Sequence, residues 1–178
     1  MSPQSYFILV NIIGGLAVLG SYAAGLGFFP EYRETLWGGV RGIWKPVLTV
    51  SMLLAAGGYL IFCYFALFRE GEYFFRVNIF VEIPTITLLT LIFLSSAALW
   101  MPTTITYFLT GNSLWWFLTI TILWITAISL VVLTGIVSSS SHDSIANIDW
   151  IAPTIGLSVI TAHCLIADAI IWVFLFHR

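Results

Sequence analysis

Residues 46–68, PVLTVSMLLAAGGYLIFCYFALF, form a long apolar stretch without a single charged side chain, and this stretch decides the fold class. A bilayer core of about 30 Å needs about 20 apolar residues per helix. Four other segments are similarly long and apolar, the last of them with one carboxylate, so the predicted spans are 6–29, 46–68, 83–101, 114–137 and 151–176. The sequence therefore predicts an all-α bundle of five transmembrane helices, with residues 1–178 forming one integral membrane domain.

The composition supports this prediction and limits the possible partners. The chain is 60 % hydrophobic and 8 % charged, with a mean hydropathy of +1.04, whereas soluble domains are about 25 % charged. A net charge of −2 without a basic patch indicates no nucleic-acid partner. The expected partners are membrane lipids and other membrane protein chains, including further copies of this one.

The basic residues predict the orientation, because cytoplasmic loops carry an excess of lysine and arginine. They are divided unequally between the two sides of the predicted bundle. One side has Arg33, Arg41, Lys45 and Arg178, and the other has Arg69 and Arg76. We therefore expect a multi-pass protein with its N-terminus outside and its C-terminus in the cytoplasm.

Small residues predict where helices pack, since membrane helices associate through close backbone approach. In the first span, Ala17, Ser21 and Gly25 recur every four residues, and Ser51, Ala55 and Gly58 mark one face of the second. We expect these two faces to meet. Asn11 lies on the first of them and is expected to form a hydrogen bond across this seam.

The end of the third span is the least certain boundary. Pro102 is expected to stop that helix, which would leave 102–113 at the membrane interface or as an extension of the fourth helix. Trp100, just before this proline, is interpreted as an interfacial anchor, because indole rings settle at the headgroup level.

Asp168 is the most informative residue, because a carboxylate at membrane depth costs at least about 2.5–3.5 kcal/mol. It lies in TAHCLIADAIIW, residues 161–172. At about 100° per residue, one line along the last helix collects several polar side chains and is expected to face the protein interior. This line consists of Thr154, Ser158, Thr161, Asp168 and Trp172.

His163 is predicted to diverge from Asp168, since five residues correspond to about 140° on an α-helix. No ligands stand at the i,i+3 or i,i+4 spacing of a helical metal site, so no metal is predicted. There is no C-x-x-C-H haem motif, and the cofactor question stays open. Cys63 and Cys164 both lie in apolar stretches, so no structural disulfide is expected.

The partner of Asp168 should come from the same leaflet. The candidates are Ser51 and Tyr22 in the neighbouring spans, and Lys45 or Arg41 reaching in from the loop. A bond from Asp168 to one of these two cations would hold the loop against the bundle. A proton or cation relay through Asp168 and His163 is the alternative interpretation.

Three functions remain open at this stage. The first is a non-catalytic membrane subunit or scaffold of a larger assembly, suggested by the short loops and the absence of catalytic spacing. The second is a small oligomeric transporter or channel that uses Asp168 as an intramembrane proton or cation site. The third, an intramembrane lipid-modifying enzyme, is the least supported, since no serine, cysteine or aspartate has a partner at helical spacing.

Overall fold

The computed structural model describes residues 2–69, 75, 84–139 and 147–176. Its long helices are α1 (Pro3–Phe28), α2 (Trp44–Phe68), α3 (Thr85–Thr110) and α4 (Ser113–Ser139). The fifth span begins as α5 (Asn147–Ala162), continues as a π-helix (His163–Trp172) and ends in a short α turn, α6 (Val173–Leu175). Five helices are thus long and apolar enough to cross a membrane, which confirms the predicted all-α bundle.

The ends of the helices define two sides. The loop 29–43, the turn between α3 and α4 and the end of the fifth span lie together, and we call this the loop side. Two short 3-10 helices, Pro30–Tyr32 and Thr35–Trp37, shape its main loop. The end of α2 and the starts of α1, α3 and α5 lie on the opposite side.

The prediction that Pro102 ends the third helix is wrong, because α3 runs through this proline to Thr110. Threonine hydroxyls donate to carbonyls in the turn before the proline, as Thr103 does to Leu99 at 2.9 Å, and such bonds help membrane helices to tolerate proline. Gly111, at φ 64°, then ends the helix in a left-handed conformation. Trp100 therefore lies about 15 Å inside the end of α3 rather than at the interface.

The helices follow the order α1, α3, α4, α5 and α2 around the bundle, each packing mainly against the next. The expected small-residue seam between α1 and α2 is therefore wrong. Ala17 is exposed, whereas Gly14 and Gly25 of α1 lie directly against Leu94 and Met101 of α3. Large α3 side chains fill the space above the two glycines, which spacing alone could not reveal.

A close backbone approach joins α2 to α5. A Cβ atom added to Gly58 would lie 2.4 Å from the Gly156 carbonyl oxygen, and one added to Gly156 would lie 2.3 Å from the Gly58 carbonyl oxygen. Only glycine permits this contact. Beside it lies an apolar core contributed by all five spans, with Phe7, Phe62, Leu130, Leu133 and Leu157 fully buried.

The loop 29–43 rests on the end of the fifth span through neutral contacts. The Trp172 indole Nε1 donates to the Leu36 carbonyl oxygen at 2.8 Å, and Gly39 lies against the Leu175 carbonyl. The expected bond from Asp168 to a loop cation does not hold this loop, because Lys45 pairs with Glu34.

Candidate functional site

A π-helical segment brings His163 and Asp168 together. A π-helix closes its hydrogen bonds from i to i+5 and is often found at functional sites. Within His163–Trp172 the His163 Nε2 atom lies 3.6 Å from Asp168 Oδ1, which is within ion-pair distance. The prediction that these side chains diverge is therefore wrong, because it assumed α-helical rotation through this segment.

Ser51 of α2 forms a hydrogen bond with the other ring nitrogen of His163. Its Oγ atom lies 2.8 Å from His163 Nδ1, and the two atoms share a hydrogen bond. A hydroxyl donates to an unprotonated imidazole nitrogen and accepts from a protonated one. Ser51 can therefore satisfy His163 in either protonation state, although sequence reasoning had assigned it to Asp168.

Asp168 is only partly enclosed, since 40 % of its side chain is exposed, compared with 7 % for His163. The Cys164 thiol and the Tyr22 hydroxyl of α1 lie near the carboxyl, whose charge would act on both. We call Ser51, His163, Asp168, Tyr22 and Cys164 the Asp168 cluster.

The Asp168 cluster lies in the leaflet of the loop side. At a rise of about 1.5 Å per residue, Ser51 is about 10 Å from the start of α2 and Tyr22 about 9 Å from the end of α1. Asp168 lies at a similar depth before the end of α6. Three separate spans thus place polar groups at one level of the membrane.

The two cations expected to reach Asp168 do not pair with it. Lys45 is bound to Glu34, and Arg41 is exposed in the loop. Within the described part of the chain, His163 is the only ion-pair partner of Asp168. The acid is therefore opposed by a group that can release its proton rather than by a permanent charge.

The predicted polar line along the last span is interrupted. Thr161 turns to α4, where its hydroxyl lies 2.8 Å from that of Thr134. Ser158 is exposed and donates to the carbonyl of Thr154 in its own helix. Since the π-helix begins after Ala162, the helix phase changes before Asp168, and the line does not continue.

A second polar group lies in the opposite leaflet. The Asn11 Oδ1 atom accepts a hydrogen bond from the Tyr59 hydroxyl at 2.6 Å and one from the Cys63 thiol at 3.4 Å. Asn11 Nδ2 donates to the Phe7 carbonyl oxygen at 2.8 Å. Asn11 therefore connects α1 to α2, although the helix backbones pack elsewhere.

Sequence reasoning missed Tyr59 and Cys63 as polar partners. Tyr59 lies within an apolar run, and Cys63 was considered only as a possible disulfide partner. The position of Tyr59 next to Gly58 was the one available signal, because a close helix contact fixes the direction of the neighbouring side chain.

Comparisons with models of protein families, with curated proteins and with solved structures find no match. In the described ranges, no group of three or more histidine, cysteine, aspartate or glutamate side chains could hold a metal ion. His142, Asp143 and His177 lie outside the described residues. The geometry of the Asp168 cluster is therefore the main evidence for function.

Proposed function

We propose that this protein is a small proton transporter or channel in which the His163–Asp168 pair takes up and releases the proton. The observation that supports the proposal is the 3.6 Å approach of His163 Nε2 to Asp168 Oδ1 inside the membrane. Ionisable residues at membrane depth mark proton relays, because their cost in lipid must be offset by a function or a partner.

The contacts of the pair allow it to bind and release a proton reversibly. Histidine is the side chain whose charge changes near neutral pH. The Ser51 hydroxyl can reverse the direction of its hydrogen bond when His163 gains or loses a proton. The Asp168 carboxyl is not sealed inside the bundle, since 40 % of its side chain is exposed. A fixed ion pair with Lys45 or Arg41 would have favoured a structural role instead.

A serine, a histidine and an aspartate in a row also occur in acyl-transfer enzymes, but this row lacks their further requirement. Ser51 lies inside α2, where the surrounding backbone N–H groups are engaged in the helix. An oxyanion hole needs free donors aimed at the reacting oxygen. Proton exchange therefore fits the Asp168 cluster better than lipid hydrolysis.

The loop side is proposed to face the cytoplasm, since Arg33, Arg41 and Lys45 lie there. On this orientation, the Asp168 cluster exchanges protons with the cytoplasmic side. The opposite side then faces outward.

Proton flux into reconstituted vesicles tests the proposal. With an imposed membrane potential and an internal pH-sensitive dye, the unaltered protein should carry protons. Asp168→Asn should lower this flux about tenfold or more, since it removes a proton-transfer group. Ser158→Ala is the matched control, because it removes an exposed hydroxyl of the same span and should leave the flux unchanged. An unchanged flux in Asp168→Asn would refute the proposed role.

One observation favours a second candidate, a subunit of a larger membrane assembly. Within α1 only Phe7 and Gly25 are buried, and the outer face exposes Ala17, Gly20 and Ala24. Such small residues suit a neighbouring membrane helix. Purification from native membranes tests this candidate, and a monomer that brings no partner chain would count against it.

A further inference from the structure

Three buried side-chain atoms among the described residues lack a hydrogen-bond partner, and all three belong to α3: Thr87 Oγ1, Thr90 Oγ1 and Trp100 Nε1. Other hydroxyls of this helix donate to a carbonyl about one turn back, as Ser96 does to Ile92 at 2.8 Å. Buried polar groups without a partner are rare and require an explanation.

One of these atoms lies beside the group around Asn11, and a second lies one helical turn from it. The Thr90 hydroxyl is near enough to the Tyr59 hydroxyl to interact with it, without reaching hydrogen-bond geometry. Thr87 lies three residues earlier, on nearly the same face of the helix, and the two threonines are 1 % and 0 % exposed. We call Asn11, Tyr59, Cys63, Thr87 and Thr90 the Asn11 cluster.

The third atom lies beside the Asp168 cluster. The Trp100 ring stacks on Tyr22 with a centroid distance of 5.5 Å, and Tyr22 in turn lies near Asp168. The three buried atoms that lack a partner among the described residues therefore lie at or near the two clusters, one of which is in each leaflet.

We propose that the Asn11 cluster is a hydrated site that binds water and exchanges protons with the opposite side. A buried water makes two to four hydrogen bonds to otherwise unsatisfied polar groups. The hydroxyls of Thr87 and Thr90 can donate to it, and the Tyr59 oxygen can accept from it. The inference rests on the proposed function, since it adds the second half of the proton route.

An apolar layer separates the two sites. The rise from Thr90 to Trp100 along α3 is about 15 Å. Between these levels Leu94 lies against Gly14, where an added Cβ atom would come within 2.7 Å of the leucine, and Ala55 is buried. This layer would limit proton leakage, because each cluster is hydrated from its own side.

The native Cys63 provides a direct probe of water in the Asn11 cluster. Silver ions are small, remain in water and replace the proton of a thiol, forming a silver–sulfur bond and releasing a proton. A thiol in a dry apolar environment is inert, because reaction requires the thiolate. In full-length Cys164→Ala protein in lipid vesicles, the thiols left unreacted are counted after denaturation.

The matched control moves the thiol to a dry position on the same helix. Ala66→Cys, made together with Cys63→Ala and Cys164→Ala, places it three residues nearer the end of α2 at a residue that is fully buried. If depth alone set the rate, the control thiol would react faster than Cys63, because it lies nearer the end of α2. If the Asn11 cluster is hydrated, Cys63 should instead react about tenfold faster than the control. Equal or slower reaction of Cys63 would overturn the inference.

Two variants connect the probe to function. Tyr59→Phe and Thr90→Val each remove one hydroxyl with little change of shape, and each should slow both silver labelling of Cys63 and proton flux severalfold. If both measurements are unchanged, the second site is refuted, while the proposed function still depends on Asp168→Asn. Flux that survives Asp168→Asn, with Cys63 still labelled rapidly, refutes the proposed function and leaves the hydrated site supported.

Discussion

The coupling energy between His163 and Asp168 can be predicted from their separation. At 3.6 Å, two unit charges attract by about 4.6 kcal/mol at an effective dielectric constant of 20 and by about 1.2 kcal/mol at 80. Because the pair lies at membrane depth, the desolvation of the two charges offsets part of the attraction expected at a dielectric constant of 20. We therefore expect about 1–3 kcal/mol, more than the roughly 0.6 kcal/mol of an average neutral hydrogen bond between membrane helices.

A double-mutant cycle measures this energy. The free energy of unfolding is determined near pH 6 in lipid–detergent mixtures for the unaltered protein, His163→Gln, Asp168→Asn and the double variant. A parallel cycle of His163→Gln with Thr121→Val is the control, because the Thr121 hydroxyl donates to Phe117 in α4 and should add independently, within about 0.5 kcal/mol. A coupling below about 0.3 kcal/mol for the first pair would refute the reasoning, because the 3.6 Å separation predicts at least about 1 kcal/mol.

Two further predictions concern the packing that holds the site. Gly58→Ala should destabilise the protein by about 1–3 kcal/mol in thermal unfolding, because the new Cβ would meet the Gly156 carbonyl at 2.4 Å. Gly57→Ala, with no atom within 4 Å, should be neutral or slightly stabilising, and equal effects of the two variants would contradict the close contact. Trp172→Phe removes the 2.8 Å hydrogen bond to the Leu36 carbonyl and should weaken loop docking by about 1 kcal/mol. The loop should then be cleaved faster by protease, and an unchanged rate would show that this bond does not hold it.

The five spans could be predicted because lipid offers the backbone no hydrogen-bond partners. Each membrane crossing must then be a long apolar helix, and such helices are visible as uncharged runs. The end of α3 could not be predicted in the same way. Pro102 breaks a helix in water but is tolerated here, because nearby threonine hydroxyls bond to the surrounding carbonyls.

The site could be predicted only in part. Asp168 was identified from its cost in lipid, and Tyr22 from its depth. The pairing with His163 could not be predicted from α-helical geometry, since the π-helix adds a residue to each hydrogen-bonded turn. The spacing of five between His163 and Asp168 was nevertheless the relevant signal, because it matches the i to i+5 period of that helix.

The packing partner of each helix was the other feature that residue spacing could not predict. Small residues indicate a packing face of α1, but Gly14 and Gly25 do not specify which helix fills the space above them. Leu94 and Met101 of α3 do so. Large side chains elsewhere in the chain determine which helix packs against a face of small residues.

The protonation state of His163 in a bilayer tests the central claim most directly. With His142→Gln and His177→Gln, the ¹⁵N magnetic resonance signals of the remaining ring report the number of its N–H groups as pH is lowered from about 9 to about 4, across the usual titration range of histidine. We predict a change from one N–H to two, and a smaller protonated fraction at a given pH in Asp168→Asn, because the carboxylate no longer stabilises the imidazolium. A ring that keeps one state throughout, and that does not respond to Asp168→Asn, would contradict the claim that this pair takes up a proton.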